Sequence, residues 1–294
     1  MSTLPLAEPS NSTQPYGAQA QPGTAVAKGG RKSSSVWRIV PAPALKRFLL
    51  AWPFPLALFI LWSVTAQHEW IAAQILPSPE MVASTFVDLT QSGELQRHLT
   101  ISLMRVLAGC FGGIAGGLVL GVAMGLSPLA RDYLYPTFKA FAQVPSLGWL
   151  PLLMMVLGIG EALKIVLIAK ACLVPVALNS YKGVENVPKG FIEIAQVYRL
   201  SRRQLLAKVI FPAAFPPIWA GVRYGLTHAW LGLVAVELLA SSEGLGFLIV
   251  YGRQLYQMDV VMAAVVVVGA VGFALDKALA LIEVRLLHWR RRNA

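Results

Sequence analysis

The chain has 294 residues, 56% of them hydrophobic and only 13% charged, with a mean hydropathy of +0.61. That composition excludes an ordinary water-soluble domain of this size and points to lipid as solvent, because several apolar runs reach the ~20 residues a helix needs to cross a bilayer. The net charge of +11 does not indicate a nucleic-acid partner, since the basic residues punctuate the apolar runs instead of gathering on one face.

The opening stretch, residues 1–35, is rich in Ser, Pro, Gln, Gly and Ala and has no apolar periodicity. It cannot bury enough surface to fold and is expected to be a disordered tail, with residues 1–43 set apart from a membrane domain at 44–294. No apolar core follows the first positive charges before Phe48, so no cleaved secretory signal is expected. Residues 48–66 form the first expected span, with Pro53 and Pro55 tolerable near its start. The chain then turns polar over 67–100. Within it, Leu76, Pro77, Ser78, Pro79 and Glu80 read as a turn capping a short amphipathic helix over 81–89, outside the bilayer.

Residues 106–126 are uncharged, and Gly109, Gly113, Gly117, Gly121 and Gly125 recur every fourth position. That spacing puts them on one helical face and predicts a second span against which another backbone packs closely. Cys110 lies in this run and Cys172 in a later one, without a Cys-x-x-Cys spacing, so both read as small hydrophobes with no redox or metal role. A third span is expected over 140–160, interrupted by Pro145 and Pro151. Gly158, Ile159, Gly160 and Glu161 make a tight turn into a fourth at 164–179, which Pro175 kinks. A long basic segment follows at 180–208, with Lys182, Lys189, Arg199, Arg202, Arg203 and Lys208. A fifth span is expected at 215–240 and a sixth at 260–281, separated by a loop over 241–259.

Lysine and arginine concentrate in the tail, in 127–139, in 180–208 and after 281, whereas the opposite-side segments hold only Arg97 and Arg253. Because cytoplasmic flanks hold the excess of positive charge, both termini are expected in the cytoplasm. The fold class is therefore all-α and integral to a membrane, with about six transmembrane helices.

Within the basic segment, residues 190–197 read as a short helix and 201–210 as another beginning at a Ser201 cap, which Pro212, Pro216 and Pro217 are expected to end. Here the residues resemble the permease family of ATP-binding-cassette importers. Its coupling loop has Glu-Ala-Ala, three residues, Gly, nine residues, Ile, one residue and Leu-Pro. Glu193, Ala195 and Pro212 match that pattern. Ile194, Val209 and Phe211 are apolar replacements, and Arg199 stands where the family has glycine. Glycine adopts left-handed geometry freely, whereas arginine does so at a cost of about 1 kcal/mol or more, which favours a differently shaped loop here. The stretches 75–80, 92–95, 158–165, 186–201 and 221–223 look like the sulfonate, taurine and nitrate uptake branch, and most like its aliphatic sulfonate permeases.

The resemblance implies a type I importer permease fold in the inner membrane, a homodimer of permeases, two cytoplasmic ATPase subunits docked at Glu193, Ala195, Arg199, Val209 and Pro212, and a periplasmic binding protein. It implies a transporter of a small oxyanion, not an enzyme. No Gly-x-x-x-x-Gly-Lys-Ser/Thr loop is present to cradle a nucleotide. No cofactor or metal is expected.

Lys170, His228 and Glu237 are ionisable residues within the apolar runs. They keep an ion-coupled secondary transporter alive as the alternative. Lys170 is expected near the bilayer midplane, where it needs a partner. Glu237 is one candidate, although it lies nearer the outer end of its span. The other reading has Lys170 and His228 lining an anion path. An embedded enzyme is disfavoured, because three of the four histidines fall outside the spans.

Overall fold

The computed structural model describes residues 52–287. The expected tail, residues 48–51 of the first expected span and the cluster Arg290, Arg291 and Arg292 lie outside the described residues. Among the described residues every regular element is a helix.

Helix α1 (Pro53–Gln67) is short and apolar, and its Trp62 indole donates to the Pro77 carbonyl at 3.0 Å. Helix α2 (Pro79–Gln91) starts at the expected turn. Ser78 is extended and its hydroxyl accepts from the Met81 N–H, while Pro79 occupies a first-turn position that needs no donor. Helix α3 (Glu94–Leu126) begins well before the apolar run at Val106, because Leu95, His98, Ser102 and Arg105 already continue one buried face.

The glycine face of α3 meets α6 (Glu161–Glu185). A Cβ at Gly113 would stand 2.5 Å from the Ala169 carbonyl oxygen, one at Gly117 2.8 Å from Val176, and one at Gly125 2.6 Å from Val184. The contacts advance in the same direction along both helices, so α3 and α6 run parallel. The chain between them must therefore return across the bundle. It does so as α4 (Pro128–Gln143), a 3-10 turn (Ser146–Trp149) and α5 (Leu150–Leu157), bent by 91° at the break.

This corrects the third expected span: the helix starts at Pro128 behind a Ser127 cap, passes Pro136, and breaks after Gln143. Pro145 has no N–H to give and pushes Val144 into the extended region, at φ −78° and ψ 118°.

Helix α7 (Lys189–Val197) and the short α8 (Arg202–Leu205) follow, and then a π turn (Leu206–Ile210) runs without a break into α9 (Phe211–Ala240). The prolines therefore do not end the second loop helix as expected. Pro212 sits in the first turn of α9, and Pro216 and Pro217 lie inside it. The widened turn just before them absorbs the loss of their N–H donors and the bulk of their rings.

Helix α9 packs antiparallel on α6, since a Cβ at Gly183 would meet Pro217, one at Gly225 would meet Cys172 and one at Gly232 would meet Ala171. The loop after α9 contains a further helix, α10 (Leu245–Gln254), before the last, α11 (Met258–Leu286).

Among the described residues three stretches, 94–126, 202–254 (interrupted at 241–244) and 258–286, are long and apolar enough to cross a membrane, and the bent pair makes a fourth if it is taken as one span. Helix α6 has 25 residues, about 37 Å at 1.5 Å each, and lies between α3 and α9 with Leu163, Ile168, Cys172 and Val176 enclosed. With the shorter α1, the all-helical, multi-pass architecture is the one hydropathy predicts.

Candidate translocation and coupling sites

Lys170 is buried on α6, and its ammonium donates to the Val144 carbonyl at the break between α4 and the 3-10 turn. The same ammonium stands over the rings of Phe141 and Trp149, with centroids at 5.1 Å and 5.7 Å. Beside it opens a cleft of about 600 Å³, bounded by α6, α9 and the broken span. Lys170, Lys182 and His228 line this cleft with Asn179 and Ser146, and among the described residues no Asp or Glu does. The His228 Nδ1 lies 2.8 Å from the Tyr224 carbonyl, which can only accept, so Nδ1 carries the proton and Nε2 is the free nitrogen. The structure thus brings Lys170 and His228 to one cavity.

It places Glu237 elsewhere. That carboxylate is fully buried on α9 and receives the Arg105 guanidinium at 2.8 Å and the Ser102 hydroxyl at 2.9 Å. Arg105 also forks onto Glu161, at 2.7 Å and 2.6 Å, and donates to the Glu243 carbonyl at 2.7 Å. Lys164 reaches Glu161 at 2.8 Å.

The cluster caps helix α10 as well. The N–H groups of Gly244, Leu245 and Gly246 go to His98 Nδ1, Ser102 Oγ and Glu237 Oε2, at 2.9, 2.9 and 3.0 Å. Side chains from α3 and α9 thereby satisfy donors that a helix start leaves unpaired, and a carboxylate faces the positive end of its dipole. Glu161 is in the first turn of α6, outside the apolar stretch, and the Arg105 hydrogen bond holds its carboxyl down to about 2.

Sequence reasoning did not anticipate Arg105, Ser102 or His98 as members of one cluster. Their spacing on the face that becomes the glycine face four residues later is the signal that was available. A second unanticipated group is Arg223 on α9, whose guanidinium pairs with Asp276 at 2.8 Å and 3.0 Å and with Glu283 at 3.3 Å, tying α9 to α11.

In the basic segment, Glu193 is exposed on α7 and Ala195 is buried beneath it. Arg199 has φ 48°, the left-handed conformation. The Leu200 N–H bonds the Ala195 carbonyl at 3.0 Å and the Arg199 N–H bonds the Gln196 carbonyl at 2.9 Å. Those two bonds around a left-handed residue are a Schellman helix end, usually built on glycine. Arg199 therefore keeps the turn that a glycine would make. Ser201 and Gln204 then form a reciprocal capping box that starts α8.

Between α7 and the start of α9 lies a groove of about 520 Å³, lined by Phe191, Ile194, Ala195, Val209 and Pro212 among others. Phe191, Ile194, Val197 and Tyr198 are each more than half exposed, a dense apolar surface for a nine-residue helix.

Comparison with known proteins gives the chain its family. The putative aliphatic sulfonates transport permease protein SsuC of Bacillus subtilis is 35% identical over 90% of this chain and 97% of its own length. The taurine transport system permease protein TauC of Escherichia coli is 36% identical over 79% of this chain and 86% of its own. The nitrate import permease protein NrtB of a Synechocystis strain is 31% identical over 77% and 84%. These relatives are transport permeases, not enzymes. The family of binding-protein-dependent transport system inner membrane components matches residues 113–288, which take in the glycine face from Gly113 onward, the Lys170 cleft and the basic loop, and the chain belongs to that family.

Proposed function

We propose that this chain is the permease subunit of an ATP-binding-cassette importer for a small oxyanion, with an aliphatic sulfonate as the first candidate and taurine or nitrate as the others. It acts in the inner membrane, with both termini in the cytoplasm, as a homodimer served by two ATPase subunits and a periplasmic binding protein. The observation that carries the reading is the Schellman turn at Arg199. Arg199 makes the left-handed turn that glycine would make at that position of the resembling coupling loop, and the turn follows an exposed apolar helix that carries Glu193.

Glu193, Ala195, Arg199, Val209 and Pro212 form the ATPase contact in this reading, and Lys170 and His228 lie on the path. Glu237 instead holds the bundle end together. Closure of the ATPase pair moves α7 and α8, and the unbroken run from α8 through the π turn into α9 passes that motion to the wall of the cleft.

Replacing Glu193 by Lys tests the proposal. The variant inserts normally, loses the copurifying ATPase and fails to transport. Normal uptake by Glu193→Lys would overturn the assignment of the loop.

A further inference from the structure

We infer that the Lys170 cleft is a binding subsite for a small monoanionic oxyanion, in which the ammonium exchanges the Val144 carbonyl for the ligand. The inference rests on the permease reading above and names the group that contacts the cargo within the membrane component.

Three observations converge on it. The first is charge balance. Of the buried cations Arg105, Lys164 and Lys170, the first two are paired with carboxylates at 2.6 to 2.8 Å, whereas no carboxylate lies within ion-pair distance of Lys170 among the described residues. Its ammonium has three donors, and the structure offers them one neutral carbonyl and two ring faces. A buried ammonium without a counter-ion is costly, and an incoming anion relieves that cost.

The second is the company Lys170 keeps. The cleft places Lys182, His228 and Asn179 on its walls and, among the described residues, no acidic side chain. Its volume of about 600 Å³ admits a small anion together with several waters. An oxyanion has acceptors alone, and these residues supply donors: the two ammonium groups, the Asn179 amide and, when protonated, the His228 Nε2. Neutral cargo would gain nothing from the excess of positive charge.

The third is the place of the carbonyl that Lys170 holds. Val144 is the extended residue at the 91° break of the returning span. The ammonium therefore ties the cleft to the one sharply bent element in its wall, and withdrawing it onto an anion frees the bend. Occupancy of the cleft and the angle of that span are linked through one side chain.

The chemistry recognised is a compact group with several oxygen acceptors and one negative charge, which a sulfonate, nitrate or lipid phosphate headgroup each presents. We assign the free small anion. The test uses the full chain assembled with its ATPase subunits in phosphatidylcholine nanodiscs, with calorimetric titration of methanesulfonate and of its neutral isostere dimethyl sulfone.

Methanesulfonate binds and the sulfone does not. Lys170→Met weakens the anion at least about tenfold, the loss expected for one charge-assisted hydrogen bond, while Lys170→Arg stays within about threefold of the native affinity. Equal binding of sulfone and sulfonate, unchanged affinity in Lys170→Met, or failure of Lys170→Met alone to assemble would each overturn the subsite, the last by making the ammonium structural. Repeating the titration with one fifth phosphatidylglycerol leaves the affinity unchanged; a tenfold weakening would instead assign the cleft to a lipid headgroup. Copurification of the ATPase reads the permease assignment separately. An assembled complex that ignores methanesulfonate refutes the subsite alone, and a chain that never holds an ATPase refutes the permease reading.

Discussion

Two buried cations in this bundle live under opposite rules. Arg105 gives its donors to Glu161, Glu237, Ser241 and the Glu243 carbonyl, and one of the carboxylates it meets, Glu237, also caps helix α10. Lys170 has no carboxylate in reach among the described residues and opens onto a cavity. The difference teaches how intramembrane charge is to be read. A cation paired with fixed carboxylates holds helices together, whereas one that leans on a carbonyl and ring faces beside a void is free to take another partner.

The sharpest way to break this comparison is Arg105→Leu. It strands the Glu237 carboxylate, which is only 1% exposed, without its counter-charge and costs about 3–5 kcal/mol, so folded protein should be lost from the membrane. Lys170→Met leaves no such orphan and should melt within about 1 kcal/mol of the native protein. Thermal unfolding of both variants in detergent decides the matter, and similar losses in the two would erase the distinction.

Next in size is the seam between α3 and α6. Gly113→Val drives a Cβ into the Ala169 carbonyl and the side chain of Cys172, both backed by helix backbone, and overpacking of that kind costs about 1–3 kcal/mol. Gly112→Val on the adjacent open face meets nothing within 4 Å and serves as the control. Equal melting of the two variants would contradict the packing described.

A smaller effect follows from acid. The Glu161 carboxyl is held at about 2 against an ordinary 4.5, so its contribution is fully present above pH 4.5 and is lost as pH falls toward 2. Melting temperature should therefore drop through that window, and Glu161→Gln should flatten the drop. The group is largely exposed, so solvent screens the effect and it is modest.

The smallest effect is Arg199→Gly. Returning glycine to the left-handed position relieves about 1 kcal/mol of strain, offset in part by glycine's greater conformational entropy, and should raise the melting point slightly with transport unchanged. Loss of the copurifying ATPase in that variant would show that the guanidinium itself makes the contact.

Much of this was legible in the chain alone. The glycine repeat from Gly109 to Gly125 identified the face of α3 and the closeness of its partner, because a four-residue period has one geometric meaning on a helix. The Ser78 and Ser201 caps were readable for the same local reason. What escaped depended on partners distant in sequence. Arg105 stands at the edge of an apolar run, and nothing nearby announces that Glu161, Glu237 and the first N–H groups of α10 converge on it. The break at Val144 was half legible, since Pro145 was noted, but the parallel pairing of α3 and α6 that forces the return crossing is a tertiary fact. The prolines in the first turns of α9 misled because the π turn that precedes and accommodates them has no local signature.

The proposal that this family member works as an ATP-driven importer is tested most directly by uptake into proteoliposomes containing the permease and its ATPase, with the binding protein and labelled methanesulfonate supplied outside. Uptake should require ATP in the lumen, persist when ionophores collapse every ion gradient, and vanish in Glu193→Lys. Uptake that proceeds without ATP and follows an imposed proton or sodium gradient would contradict it.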